Sequence, residues 1–456
     1  MNNTIKNILK TVKDNEITMI RFEYLSSDGK LRGMATHADF LEDAITNGIG
    51  LAKGAWSLGG FDQLIDDYTY AAETSEFSIV PDLNTFAIHP YLEKSARFFA
   101  NLYYKNGKQA EIDARYFLTK ILNQFNKKGY TVKSSCEAEF FLLNDEDGKI
   151  TPATGGPHAE YYVESRGYDV FNSYIQDVIS ALNKMCVKVE RIKKEYSPSQ
   201  IEIILRYTDA MKAADDLVTL RSVAKNIAQS YDLLATFLPK PFNDAGNSGL
   251  HSHISVYDKN SKNIFYDKSD KYGISKNGYY FMGGLLKHMK SMTAIHAPIP
   301  NSYKRMVPSL AWAPATVTWG YDNRGVAVRI PSISKDGGNS STRVEFRVAD
   351  PTANPYLSLG IALAAGLDGI NNKIDPGKIT IPDPNNFTPN ELKELGIETL
   401  PETLGDAIKE MEKSTFLKKT LGEILFREYL LHKKSEWQAY CRHVSEWEVH
   451  KYVGSF

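Results

Sequence analysis

The chain has 456 residues and carries 54 Lys and Arg against 55 Asp and Glu, a formal net charge of −1. That balance excludes the basic excess of a general nucleic-acid binder and the acidic bias of a disordered chain. Hydrophobic residues at 42% and charged residues at 24% are ordinary globular usage, and the length allows large cores in roughly two to four domains. Residues 4–13 read as an amphipathic helix, with Ile5, Ile8, Leu9 and Val12 on one side. Residues 16–24 and 28–34 read as a hairpin around Ser26, Ser27, Asp28 and Gly29. Strand-like runs follow at 77–81, 85–88 and 97–104, so residues 1–105 are expected to form a small α+β domain.

Residues 106–456 are expected to form a second domain, in which amphipathic helices alternate with isolated strands. The spacing predicts helices over 113–128, 168–189 and 208–233, the last with Thr208 as N-cap. Strands are predicted at 131–143, 187–193, 200–207 and 250–257. No glycine-rich nucleotide loop follows a strand, which argues against Rossmann and P-loop folds. The Pro- and Asn-rich stretch 374–401 reads as an excursion, and 403–448 as terminal helices.

Cys136, Cys186 and Cys441 are far apart and form no CxxC pair, so they read as buried free thiols of a reducing compartment. The N-terminus has no apolar run suited to a signal peptide. The most apolar stretch, 357–367, is too short to span a bilayer. A cytoplasmic protein with no membrane or nucleic-acid partner is expected.

Four segments put charge on one strand face. Glu137 and Glu139 are two apart in VKSSCEAEFFLL. In KEYSPSQIEIIL, Glu195 precedes a turn, and Gln200 and Glu202 share a face. His251 and His253 share one in NSGLHSHISVY, and Arg343, Glu345 and Arg347 share one in STRVEFRVADP. Each pair alone fits the solvent face of a half-exposed strand. If the faces converge, five carboxylates would repel unless cations sit among them. Oxygen-rich donors with one His suit Mg²⁺ or Mn²⁺. Arg305, Arg324 and Arg329, with Arg343 and Arg347, suit binding of carboxylate and phosphate. Two cations with nearby arginines are the parts of a phosphoryl-transfer site.

The ordered run EAEFFLL, EYSPSQIEI, ATFLPKPF, GNSGLHSHIS, NSYKRMVP, NRGVAVRIP and RVEFRVADPTANPYL resembles the glutamine synthetase family over nearly the whole chain. The resemblance implies an α+β fold: an N-terminal β-grasp-like domain, then a catalytic domain with a curved antiparallel sheet backed by helices. It implies a homo-oligomer, a dodecamer of two stacked hexameric rings with active sites between subunits. It implies ATP as co-substrate, two to three Mg²⁺ or Mn²⁺ per site, glutamate and a small amine. By position, Glu139, Glu195 and Glu202 match the ligands of a first metal, and Glu137, His251 and Glu345 those of a second. Tyr207, His253, Ser255, Arg329 and Arg343 match positions near the nucleotide or its phosphates. Asn247, Gly249, Arg305 and Arg347 match binders of glutamate, and Arg324, Arg329 and Arg347 are the expected catalytic arginines.

Two positions depart from the ammonia-using pattern. The D-G-S-S-like segment of those enzymes corresponds to residues 53–61, KGAWSLGGF, with Gly54 in place of the Asp. The P-G-Y-E-A-P-like flap corresponds to residues 308–314, PSLAWAP, with Trp312 near the Glu position. Both losses fall on one subsite, and every metal-ligand position is kept. The pattern resembles the family's glutamate–amine ligases, which make γ-glutamyl amides of polyamines, ethanolamine or other small amines. Trp312, Gly54, Trp56 and Phe61 are the expected lining of the amine pocket.

Overall fold

A computed structural model describes residues 3–58, 62, 65, 67, 69, 70, 75–307, 312–333 and 338–456. The first sheet is built from β1 (Met19–Leu25), β2 (Leu31–His37), β3 (Ile49–Ala52), β4 (Glu76–Pro81), β5 (Ala87–Ile88) and β6 (Ser95–Tyr104), in the order β2-β1-β6-β4-β3 with β5 beside β6. β1 and β2 form the predicted hairpin, its turn on the expected Ser26–Gly29, where Gly29 takes a φ of +82°; only the strand bounds differ, by up to three residues. β1 runs parallel to β6, the β-grasp arrangement. Phe22, Ile79, Phe77, Phe98 and Leu102 are fully buried inside it.

The second sheet contains β7 (Thr131–Glu146), β8 (Lys149–Pro152), β9 (Val189–Lys194), β10 (Gln200–Leu205), β11 (Thr208–Asp209), β12 (Leu234–Thr236), β13 (Leu250–Tyr257), β14 (Trp319–Tyr321), β15 (Val328–Ile330) and β16 (Val344–Phe346). Its order is β14-β15-β16-β13-β7-β10-β9, with β8, β11 and β12 also on β7. Every pairing is antiparallel except β14 with β15, a local departure from the expected all-antiparallel sheet. Helices Ala114–Asn126, Ala210–Gln229, Lys276–His296 and Pro355–Asn372 back it.

The joint between the sheets is ionic. Asp113 caps Ala114–Asn126 by accepting from the backbone N–H of Arg115 at 2.8 Å, and also accepts from that of Leu102 on β6 at 2.9 Å. Arg115 then reaches Asp82 at 2.9 Å and Asp215 at 3.0 Å.

Several local expectations shift. The helix predicted at 168–189 breaks at Phe171 into Arg166–Val170 and Asn172–Lys184, and its end enters β9 through Cys186 at φ +61°. Thr208 is no N-cap: it pairs with Ser134 in β11, and Asp209 precedes the helix without a side-chain cap. Helix Lys276–His296 carries no legible stripe because it is buried on several sides. A Cβ on its Gly284 would stand 2.0 Å from the carbonyl oxygen of Ala365, so this glycine is what lets it lie against Pro355–Asn372. All three cysteines are free, but only Cys136 is buried; Cys186 sits at an exposed helix end and Cys441 in the exposed final turn of its helix. Among the described residues no helix is long and apolar enough to cross a membrane.

Candidate active site

Strand register brings the charged residues together. Glu139 lies opposite Glu202 across β7 and β10, and Glu137 opposite His251 across β7 and β13. His253 lies opposite Glu345 across β13 and β16, and Arg329 opposite Glu345 across β15 and β16. Alternation sends all of them to one face. The intervening residues, Ser134, Cys136, Leu250 and Ser252, turn to the helices at Leu217 and Pro355. Glu195 joins from the turn after β9, where Lys194, itself buried, donates to the carbonyls of Glu195 and Ser197 at 2.6 Å.

Two groups of ligand atoms result. Glu139, Glu195 and Glu202 bring theirs within 4.8 Å of one another, and so do Glu137, His253 and Glu345. The second group differs from the expected set, which had His251 rather than His253. The side chains lean diagonally across the register: His253 Nε2 stands 2.9 Å from Glu137, and His251 Nε2 3.5 Å from Glu139. Arg343 donates its Nε–H to His253 Nδ1 at 3.1 Å. That ring therefore carries its proton on Nε2 and donates to Glu137, so both its nitrogens are engaged. His251 Nδ1 is buried with no partner.

The electrostatics of these groups are uneven. Burial, then the charges of Glu139 and Glu137, push Glu202 up to about 9. Glu195 is raised by burial and by Glu139. Burial alone would also raise Glu137 and Glu345, but their partners win. Hydrogen bonding and charge from His253 bring Glu137 down to about 2, and Arg347 with both histidines and Arg329 holds Glu345 well below the usual carboxylate range.

A cavity of about 330 Å³ opens over the first group. Of the expected substrate residues, Asn247, Gly249, Arg305, Trp312 and Arg347 line it, as does the expected catalytic Arg324. Gly249 donates its N–H to Glu139 at 2.8 Å, and a Cβ there would meet His251 Cε1 at 2.9 Å. Arg305 is buried and donates to the carbonyls of Val348 and Arg347, both at 3.1 Å. Arg347 reaches Glu345 at 2.5 Å and the Trp312 carbonyl at 3.2 Å. Arg324 is exposed at the rim. Arg329 does not line the cavity, being held by Glu345 at 2.7 Å and Asp322 at 3.0 Å. On the lining, Asn247 Oδ1 and Arg347 Nε are buried without partners, as is Arg329 Nε beside it.

The expected nucleotide positions gather beside the second group. Ser255 follows His253 on the same face and donates to the Thr342 carbonyl at 3.2 Å. It pairs in register with Lys133, whose ammonium lies 5.5 Å from the exposed Tyr207 ring.

The amine-pocket expectation needs correction. Trp56 is only 4% exposed, stacked on Tyr24 with centroids 5.5 Å apart and edge-on to Phe77 at 6.4 Å. It packs the core of the first sheet and offers no face to a substrate. Gly54 sits in the turn Lys53–Ser57 and does not line the cavity of its own chain. Phe61 and residues 308–311 lie outside the described residues. Trp312 does line the cavity, 52% exposed and edge-on to Tyr162 at 6.0 Å. Tyr162, Tyr196 and Lys193 also line it and were missed. Lys193 had one available signal, its place two residues before Glu195 on a strand; the tyrosines had none.

The family model for "Glutamine synthetase, catalytic domain" matches residues 111–452. Glutamine synthetase of Methanosarcina mazei is 36% identical over 453 residues, 99% of this chain and 98% of that protein. That of Thermotoga maritima is 34% identical over 457 residues, 99% of each. Among solved structures, GmaS in complex with ADP superposes with a TM-score of 0.86 at 27% identity, covering 98% of this chain and 99% of that one. This α+β fold, with paired acidic groups on one sheet face, defines an ATP-dependent carbon–nitrogen ligase. The chain belongs to the glutamine synthetase family. Members use ATP and divalent metals, with glutamate and either ammonia or an amine.

Proposed function

We propose that the protein joins the γ-carboxylate of glutamate to an amine other than ammonia. ATP phosphorylates the carboxylate, and the amine nitrogen attacks the resulting γ-glutamyl phosphate and expels phosphate. The observation that carries this reading is Trp312. At a position where ammonia-using relatives carry a Glu, its ring stands in the cavity wall against Tyr162. The remaining carboxylates of the lining, Glu137, Glu139, Glu195 and Glu202, all belong to the two acidic groups. The structural likeness to GmaS, a glutamate–amine ligase, supports the reading, while the names of the sequence relatives favour ammonia.

The donor set fits divalent cations. Four to five ionised carboxylates in a buried cluster repel without them, and hard oxygen donors with a single imidazole suit Mg²⁺ or Mn²⁺. When bound, such ions neutralise charge on the transferring phosphoryl oxygens. Glu139, Glu195 and Glu202 would hold one, and Glu137 and Glu345 a second, with His251, whose Nδ1 is free, as the imidazole ligand in place of His253, the ring the structure sets nearer that pair. His253 orients Glu137 from outside. Loss of His251 as alanine should then weaken Mn²⁺ binding by calorimetry about a hundredfold, and His253→Ala about tenfold. The reverse order would exchange their roles. Arg305 and Arg347 would hold glutamate beside Asn247 and Gly249, and Arg324, at the rim, would face the phosphoryl group, with Arg329 behind it on Glu345 and Asp322. Tyr207, Ser255 and Arg343 lie along the nucleotide. We further propose a division into residues 1–105 and 106–456, a cytoplasmic site of action, and stacked rings in which Gly54 reaches the cavity of a neighbouring copy.

Phosphate release with glutamate, ATP and Mg²⁺ tests the function across ammonium, methylamine, ethanolamine, putrescine and benzylamine. An amine should exceed ammonium in kcat/KM, and ammonium as the best nucleophile would sink the reading. Gly54→Asp with Trp312→Glu should raise ammonium use about tenfold.

A further inference from the structure

We propose that Gln200 is a positioning residue for the amino-acid substrate: its amide fastens the loop carrying Asn247 and Gly249 to the turn carrying Glu195, and glutamate affinity depends on that fastening. The inference rests on the reading that this loop binds glutamate. Gln200 lies two residues before Glu202 on β10, so it shares the face of the carboxylates, yet it belongs to neither acidic group. It is 1% exposed. Its Nε2–H donates to the Asn247 carbonyl at 2.8 Å, and its Oε1 accepts from the Ser197 N–H at 3.2 Å. Nε2 stands 3.5 Å from Glu139, too far to hold that carboxylate back from a cation. Both close contacts are to backbone atoms of the same chain, none of which is a cation ligand.

The turn is built as a rigid post. Ser199 takes φ +61°, the left-handed region that a residue with a side chain rarely adopts. Its N–H donates to the buried Glu160 at 3.2 Å, and its Oγ accepts from the Thr154 N–H at 2.7 Å. Lys194 ties down the carbonyls of Glu195 and Ser197 from below. A backbone outlier held this firmly by its surroundings belongs where geometry matters.

The loop meets this post closely. Ser197 Oγ accepts the Gly246 N–H, and a Cβ on Gly246 would stand 2.9 Å from that oxygen and 3.3 Å from Gln200 Oε1. With its carbonyl taken by Gln200, Asn247 keeps Oδ1 unpartnered on the cavity lining, and Gly249 donates to Glu139. A loop pinned at Gly246, Asn247 and Gly249 loses little conformational entropy when glutamate binds.

The test uses the full chain. Gln200→Met keeps the side-chain volume and removes both bonds. It should raise KM for glutamate about tenfold, with kcat and KM for ATP within about twofold of wild type. Calorimetry with glutamate, in the presence of Mn²⁺ and ADP, should show Kd rising by the same factor. Gly246→Ala, which pushes the loop off the post, and Ser197→Ala, which frees the Gly246 N–H, should give the same split. Gln200→Met with Ser197→Ala should fall well short of the product of the single effects, because both act on one loop. An unchanged glutamate KM in Gln200→Met, or an equal rise in KM for ATP, overturns the proposal, since a merely structural role moves both. Asn247→Ala tests the underlying reading. If it raises KM for glutamate and Gln200→Met does not, glutamate binding by the loop stands and the positioning role falls. If Asn247→Ala leaves KM for glutamate unchanged, both fall. Should Gln200→Met fail to fold, Ser197→Ala and Gly246→Ala decide by the same criteria.

Discussion

Replacing Glu345 by alanine should stop turnover with every amine, a loss of about a thousandfold or more in kcat. Glu345 has 0% exposure and holds two guanidinium groups, Arg347 at 2.5 Å and Arg329 at 2.7 Å. Burial favours its neutral form, but those arginines and the two histidines keep it ionised. It therefore anchors both arginines and supplies a carboxylate to the second acidic group. Its loss leaves Arg347 buried with its anion gone and Arg329 with Asp322 alone, a cost of about 3–5 kcal/mol in stability. Turnover must accordingly be measured on folded protein, checked by circular dichroism. Glu345→Gln keeps the volume and should recover part of the stability but little turnover, because a neutral amide balances neither guanidinium. Retention of about a tenth of wild-type kcat in the alanine variant would remove Glu345 from the working site.

Stripping divalent cations with excess chelator should stop turnover, and Mg²⁺ or Mn²⁺ should restore it and raise Tm by about 3–5 °C at a hundredfold excess over Kd. The cause is the crowding of carboxylates around Glu139 and Glu202, which lie directly opposite each other in register. Glu202 is pushed up to about 9, so without a cation it is protonated at neutral pH. A bound cation favours the ionised form and expels that proton. Cation affinity should therefore rise as pH increases through the neutral range and level off near the pH where Glu202 already ionises by itself. Calorimetry in buffers of different ionisation enthalpy should register release of about one proton per first cation at pH 7. Binding without proton release would contradict the raised carboxyl.

The legibility of the fold followed burial geometry. Strands β7, β10 and β13 were readable because each buries one face and carries charge on the other, a period of two that survives in the sequence. Helix Ala114–Asn126 showed a one-sided apolar stripe. Lys276–His296 did not, since a helix buried on several sides has no polar face to mark its period. The turn of the β1–β2 hairpin is legible at Ser26–Gly29, where Gly29 takes the left-handed conformation, while the strand ends, set by pairing with β6, are not.

By itself the sequence determined the family and the paired glutamates. Those features are local, carried by residue identity at short spacing on a single strand or turn. Only the tertiary structure decided which histidine leans toward Glu137, because the lean depends on two strands together and on Arg343 reaching across from β16's approach. It likewise moved Trp56 out of the pocket and into the first sheet's core, where Tyr24 and Phe77 enclose it. And it set Tyr162 and Lys193 beside Trp312, across about 120–150 positions of chain, a neighbourhood created by the packing of three separate segments and by nothing in their own composition.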